Sequence, residues 1–283
     1  MIPAPFDYRR ATSLDDALSA IASGDAKVLA GGMSLLPLMK LRLASPGKLV
    51  DIGRLTELKG VRRLEDGRFS VGALTTYTEL LESPARHNVL RDALPRIGDV
   101  QVRNRGTVGG SLAHADPASD LPACLLALDA ELIARSPSGE RTIPIDGFLE
   151  GAFTTGLRPD EILTEIRLPG PRDDAGSAYL SLENPASGYA IVGVAVVLFA
   201  RDGKAIESAR VAITGVGDVA YRAKAVESAL AGSDGSKAAI AAAAEHATDG
   251  VTVNGDIHAD RDYRTRMAVV YTRRAIEAAL ARV

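Results

Sequence analysis

The chain has 283 residues, 46% of them hydrophobic and 24% charged, with a net charge of −3. This is ordinary globular composition, with mass for one large domain or two to three small ones, and its slight acidity leaves no electrostatic footprint for nucleic acid. One cysteine, Cys124, excludes an internal disulfide framework and a self-contained iron–sulfur cluster, which needs several thiolates.

Aromatic residues are scarce and tryptophan is absent, so stacking platforms for single-stranded nucleic acid are not expected. No apolar run reaches the roughly 18 residues of a membrane span. The longest, Tyr189 to Ala200, reads as a buried strand. The first ten residues carry no apolar segment behind their basic residues, so no secretory signal is expected. A reducing, cytoplasmic compartment fits.

Ser13 followed by Asp16 has the spacing of a capping box. It predicts a helix over about Leu14–Ala22, ended by Gly24. Lys27–Ala30 is a short apolar strand that runs into Gly31-Gly32. After Ser34 a helical turn is expected, with Pro37 near its start, and Lys48–Ile52 reads as a further strand. The opening is thus a small β-α-β unit. Val61–Leu64 and Arg68–Val71, around Asp66-Gly67, predict a β-hairpin. Helices are expected near Tyr77–Leu81 and Arg86–Ile97. A second glycine-rich loop spans Arg103–Ser111, and a helix follows over Pro117–Leu128. Strands are expected near Ala130–Arg135, Arg141–Ile145 and Glu161–Leu168.

The stretch Pro169–Gly176, rich in Pro, Gly and Asp, marks a domain boundary. Beyond it lie strands near Ser177–Leu182, Ala190–Phe199 and Ala205–Thr214, with a turn at Asp202-Gly203. Alanine-rich helices around Ala223–Ala231, Ser236–His246 and Asp262–Arg282 close an α+β pattern. No internal repeat is evident.

Two stretches carry chemistry. Ala30-Gly31-Gly32-Met33-Ser34 sits at the end of an apolar strand. Glycine lacks a Cβ, so successive amides there can converge on an anion. Thr107-Val108-Gly109-Gly110-Ser111 repeats the pattern, approached by Arg103 and Arg105. Each alone reads equally as a tight strand-to-helix turn. Together they suit a ligand with two phosphates clamped from two sides. Neither is a Rossmann fingerprint or a P-loop, so the residues reach a phosphate-bearing nucleotide and stop short of naming it.

The pair Ala30–Lys40 and Arg103–Pro122 resembles the two FAD loops of the flavoprotein subunits of the molybdenum hydroxylase and xanthine dehydrogenase family. The carbon monoxide dehydrogenase medium subunits belong to that family. The likeness extends to Phe6-Asp7-Tyr8, Leu49–Ile52 and Asp262-Tyr263-Arg264 and covers essentially the whole chain. It implies an FAD-binding domain of the vanillyl-alcohol-oxidase (PCMH) type over 1–174, with subdomains about 1–55 and 56–174. A C-terminal α+β domain, a three-stranded sheet with helices, would occupy 175–283.

It further implies that Ala30, Gly31, Gly32, Met33 and Ser34, with Thr107, Val108, Gly109, Gly110 and Ser111, hold the FAD pyrophosphate. Asp120 would bond a sugar or ribityl hydroxyl, and Tyr189 would lie against the isoalloxazine. Met33, Ser111 and the acidic Glu183 depart from the family's commoner residues.

The implied role is electron transfer from two [2Fe-2S] clusters in a small subunit to FAD, and from FAD to quinone or another external acceptor. A large subunit would hold the molybdenum cofactor, the whole being an (αβγ)2 heterohexamer in the cytoplasm, peripherally attached through partners to the inner membrane face. No catalytic acid or base and no metal ligand is assigned to this chain. His114 is either structural or a flavin-edge contact, and Cys124 reads as a core thiol. Competing readings are the flavin subunit of an aromatic N-heterocycle or aldehyde hydroxylase, a self-sufficient FAD oxidase, and a non-redox flavin-binding assembly module.

Overall fold

A computed structural model describes residues 2–22, 24, 26–201 and 205–283. The N-terminal layer contains β1 (Asp7–Arg10), α1 (Leu14–Ile21), β2 (Ala26–Leu29), α2 (Leu35–Lys40) and β3 (Lys48–Asp51). Its strands form a parallel sheet in the order β1-β3-β2. Leu14, Ala17, Leu18 and Ile21 recur at helical spacing and are all buried, so α1 lays one apolar stripe on the sheet. Ser13 caps α1 by accepting from the Asp16 amide at 3.1 Å. The Asp16 carboxylate reaches back to the Thr12 amide at 2.9 Å, one residue earlier than a capping box requires. The first strand was not expected. Its four residues are all exposed, so they carry no apolar alternation, and backbone pairing alone defines it.

The middle layer is an antiparallel sheet in the order β4-β5-β10-β6-β7, built from Val61–Arg63, Phe69–Gly72, Glu131–Ser136, Gly139–Pro144 and Ile162–Leu168 in chain order β4, β5, β6, β7 and β10. A short hairpin, β8 (Leu149–Gly151) with β9 (Thr154–Thr155), was too brief to show a pattern. Between β5 and β6 lie α3 (Tyr77–Glu82), α4 (Asn88–Ala93), α5 (Val100–Arg103), α6 (Val108–His114) and α7 (Asp120–Ala127). Every residue of α7 is buried, as expected of a helix sandwiched between layers.

The C-terminal sheet runs β11 (Ala175–Glu183), β12 (Ala190–Arg201), β13 (Ala205–Thr214), β14 (Tyr221–Arg222). It has the three expected strands plus a two-residue fourth. The anticipated turn at Asp202-Gly203 lies outside the described residues. Strand β12 explains its unbroken apolar run. Val192, Val194, Val196 and Leu198 face α8 (Lys224–Leu230), α9 (Lys237–Ala244) and α10 (Arg261–Leu280), while Ala195 and Val197 face the cluster containing α4 and α7. Both faces of the sheet are buried, so alternation disappears. The linker at 169–176 divides the elements in chain order, yet one apolar cluster continues across it, from Phe69 and Leu125 to Tyr179 and Ala212. No helix among the described residues is long and apolar enough to cross a membrane.

Candidate functional site

The chain leaves β2 at Leu29, whose carbonyl accepts the Ile52 amide at 3.0 Å. Gly31 follows under steric compulsion: a Cβ there would lie 1.9 Å from the Arg105 carbonyl oxygen. Gly32 adopts φ +80°, which bulkier residues resist. The carbonyls of Gly32 and Ser34 accept from Leu36 and Leu38 and start α2. The amides of Gly31, Gly32, Met33 and Ser34 donate to no group among the described residues, and the Ser34 hydroxyl makes no capping bond. Successive unpaired amides on a tight glycine turn form an anion-binding nest.

The second stretch differs from the expected loop. Thr107 is the N-cap of α6, and Val108–Ser111 is the helix's first turn. Its amides are taken internally. Val108 donates to Thr75 O at 2.9 Å, Gly109 to Ala73 O at 2.8 Å, and Ser111 to Thr107 O at 3.0 Å. Gly110 donates to Thr107 Oγ1 at 3.1 Å. Gly109 is glycine because a Cβ would sit 2.5 Å from Ala73 Cβ. The expectation of two equivalent amide pockets therefore gives way to an asymmetric arrangement: an open nest beside a capped helix. The two do meet. A Cβ on Gly110 would lie 4.0 Å from Ala30 Cβ, and Gly31 rests on the backbone of Arg105 and Gly106.

Behind Ser111 the site becomes a buried polar network. Ser111 Oγ lies 3.0 Å from Ser119 Oγ, and burial pushes the neighbouring Tyr77 hydroxyl up to about 12. Asp120 is 5% exposed. It accepts a hydrogen bond from the Tyr179 hydroxyl, and burial raises its carboxyl to about 6 against the pull of that bond.

Tyr189 is 48% exposed. It stands at the wall of a cavity of about 200 Å³ shared with Pro117, Asn184, His258 and Arg264. Pro117 O accepts from Gly215 N and Thr214 Oγ1, both at 2.8 Å, which seals this cavity to the segment after the second motif. Glu183 is paired with Arg96 at 2.8 Å, so its departure from the basic family pattern is locally neutralised.

The remaining candidates separate clearly. Arg103 donates to Gly98 O at 2.7 Å and braces its own loop, whereas the exposed Arg105 side chain makes no bond or ion pair among the described residues. His114 packs on Phe153 with ring centroids 5.1 Å apart, and burial lowers its pKa, which leaves the ring neutral at pH 7. Cys124 is fully buried and its thiol is pushed well up. Among the described residues no cluster of His, Cys, Asp or Glu is placed to hold a metal.

Sequence reasoning missed the function of two residues. Arg264, 6% exposed, donates to Ile191 O and Gly215 O, each at 2.6 Å, and to the Asp256 carboxylate at 2.5 Å, fastening the loops around Tyr189. Arg264 belongs to the Asp262-Tyr263-Arg264 stretch that shares in the family likeness, but its bonds to loops 49 and 73 positions away leave no local pattern. Tyr179 is the other, its partner 59 positions away in sequence.

Comparison with known proteins adds to this geometry. Residues 4–171 match the family described as the FAD binding domain in molybdopterin dehydrogenase, and residues 177–279 match the CO dehydrogenase flavoprotein C-terminal domain. The carbon monoxide dehydrogenase medium chain of Hydrogenophaga pseudoflava is 40% identical, over 100% of this chain and 99% of that protein. The 6-hydroxypseudooxynicotine dehydrogenase complex subunit alpha of Paenarthrobacter nicotinovorans is 37% identical, over 100% and 97%. Among solved structures, carbon monoxide dehydrogenase from H. pseudoflava lacking the Mo-pyranopterin moiety superposes with a TM-score of 0.96 at 42% identity, covering 100% of this chain and 99% of that one.

Proposed function

The chain belongs to the FAD-binding flavoprotein family of the molybdopterin dehydrogenases, and from that premise we propose that it is the electron-transfer subunit of a molybdenum–iron–sulfur hydroxylase. The observation that carries this reading is the open amide nest at Gly31–Ser34 set against the second motif. FAD fits these residues. The free amides and the Ser34 hydroxyl would take the pyrophosphate, and the small faces of Ala30 and Gly110 allow close approach. Thr107 and Ser111 would flank it, and Asp120 would meet a sugar or ribityl hydroxyl. Tyr189, ringed by the Arg264-fastened loops, would lie against the isoalloxazine.

Bound FAD would supply one- and two-electron redox chemistry. The protein's part is to bind, orient and shield, and no acid or base of this chain is required. Electrons would come from [2Fe-2S] clusters of a small subunit and leave to quinone or another external acceptor. A large molybdenum subunit would oxidise the substrate within an (αβγ)2 heterohexamer. The division of this chain into 1–174 and 175–283 would follow the two matched families. A cytoplasmic position, held to the inner membrane face through partners, suits this role.

Similarity to a carbon monoxide dehydrogenase medium chain favours carbon monoxide as the complex's substrate. The 37% identity to the 6-hydroxypseudooxynicotine dehydrogenase subunit supports an N-heterocycle instead. The test is anaerobic. The full chain is loaded with FAD and mixed with its reduced iron–sulfur subunit. Bleaching of the flavin supports electron transfer. A flavin that binds and stays oxidised makes this an assembly module, and a chain that oxidises small alcohols unaided makes it an oxidase. Carbon monoxide and N-heterocycles, offered to the reconstituted complex, then decide the substrate.

A further inference from the structure

Asp120 and Tyr179 form a buried polar pair that stability alone does not explain. A carboxylate at 5% exposure usually faces a cation. Here its partner is a neutral phenol, and Arg96, the cation nearest in effect, is already paired with Glu183. The fold makes room for this phenol. A Cβ on Gly193 would lie 2.1 Å from Tyr179 Oη, so β12 has no side chain where the hydroxyl sits. The pair is also next to the proposed cofactor cradle. Ser119, which precedes Asp120, bonds Ser111 of the second motif, and Thr214 Oγ1 donates to Ser119 O at 2.9 Å. Tyr179 engages Oδ1, while Oδ2 takes no hydrogen bond from another described residue.

We propose that Tyr179 is a positioning residue: by holding Oδ1 of Asp120 it leaves Oδ2 to accept a hydroxyl of the bound flavin nucleotide. This rests on the flavin reading above. The groups facing Asp120 are Tyr179 and Glu183 from β11, Tyr77 from α3, Cys124 one turn along α7, Tyr189 and Arg96. Glu183 and Arg96 are the charged ones, and they offset each other. Burial raises the Asp120 carboxyl to about 6, and the Tyr179 bond opposes that rise. A carboxylate accepts a hydroxyl better than a carboxylic acid does. Nucleotide affinity therefore climbs as pH rises through the Asp120 pKa, and that climb moves to higher pH when the phenol is removed.

The experiment measures FAD affinity of the full chain by fluorescence quenching from about pH 5 to about pH 8, for wild type, Tyr179→Phe and Asp120→Asn, with thermal melts as a check on folding. Wild type should bind several-fold more tightly above the inflection than below it. Tyr179→Phe should shift the inflection upward by roughly one unit. Asp120→Asn, whose amide oxygen still accepts from Tyr179 and preserves the fold, should remove it. An inflection absent in wild type, retained in Asp120→Asn, or unmoved in a folded Tyr179→Phe overturns the proposal. A wild-type chain that binds no FAD at any pH overturns the flavin reading itself.

Discussion

A methyl group added at position 31 would lie 1.9 Å from the Arg105 carbonyl oxygen and 2.8 Å from its carbon. Ordinary contact begins near 3.4 Å, so the nest must retreat from the second motif by about 1.5 Å. The obstacle is backbone rather than a flexible side chain, and overpacking of this kind costs about 1–3 kcal/mol of stability. Binding should suffer further. Each charge-assisted bond lost from a displaced amide to a phosphate removes about 1.5–3 kcal/mol, or roughly ten- to a hundred-fold in Kd. Gly147→Ala is the matched control: its φ is +91° and none of the described residues lies within 4 Å of the new methyl, so it adds backbone strain without a clash. Both variants should melt lower than wild type. FAD titrations should then show weakened binding in Gly31→Ala and unchanged binding in Gly147→Ala. Equal affinity in Gly31→Ala and wild type would refute the argument that the two motifs must touch.

Arg264→Met should cost about 3 kcal/mol in urea melts, because two carbonyls lose charge-assisted bonds, and it should speed proteolysis in the 184–191 loop. A melt no lower than wild type would remove Arg264 from that role. Asp120 has a folded pKa of about 6 against an ordinary 3.8, so the folded state binds more protons and this group's ionisation opposes folding as pH rises from about 4 to about 6. The loss is about 3 kcal/mol. Asp120→Asn should be more stable relative to wild type at pH 7 than at pH 4, and a pH-independent difference would contradict the burial argument. Cys124 should resist thiol reagents in the native chain and react only in denaturant. Rapid native labelling would show that α7 opens.

The conformation of the first motif was legible, because an apolar strand that meets two glycines turns sharply before the next helix, whereas its ligand was suggested only by the pair of motifs and the likeness to a family. The second was misread in conformation because paired glycines disfavour a helix. What overrides that propensity is the packing of Gly109 on the Ala73 backbone, a contact between segments 36 positions apart that no local pattern encodes. The C-terminal strands and helices were readable from apolar runs and alanine content. Strand β1 was not, since its four residues face solvent and pairing alone makes it a strand. Asp120 was singled out through the likeness to a family, and its link to Tyr179 lay beyond any sequence window.

Amide hydrogen exchange with and without FAD addresses the asymmetric cradle directly. The amides of 108–111 already have partners within the chain, whereas those of 31–34 have none among the described residues. Saturating FAD should slow exchange sharply at Gly31–Ser34 and change it little at Val108–Ser111. Unaltered exchange at Gly31–Ser34 in a chain shown to be FAD-saturated would contradict the account.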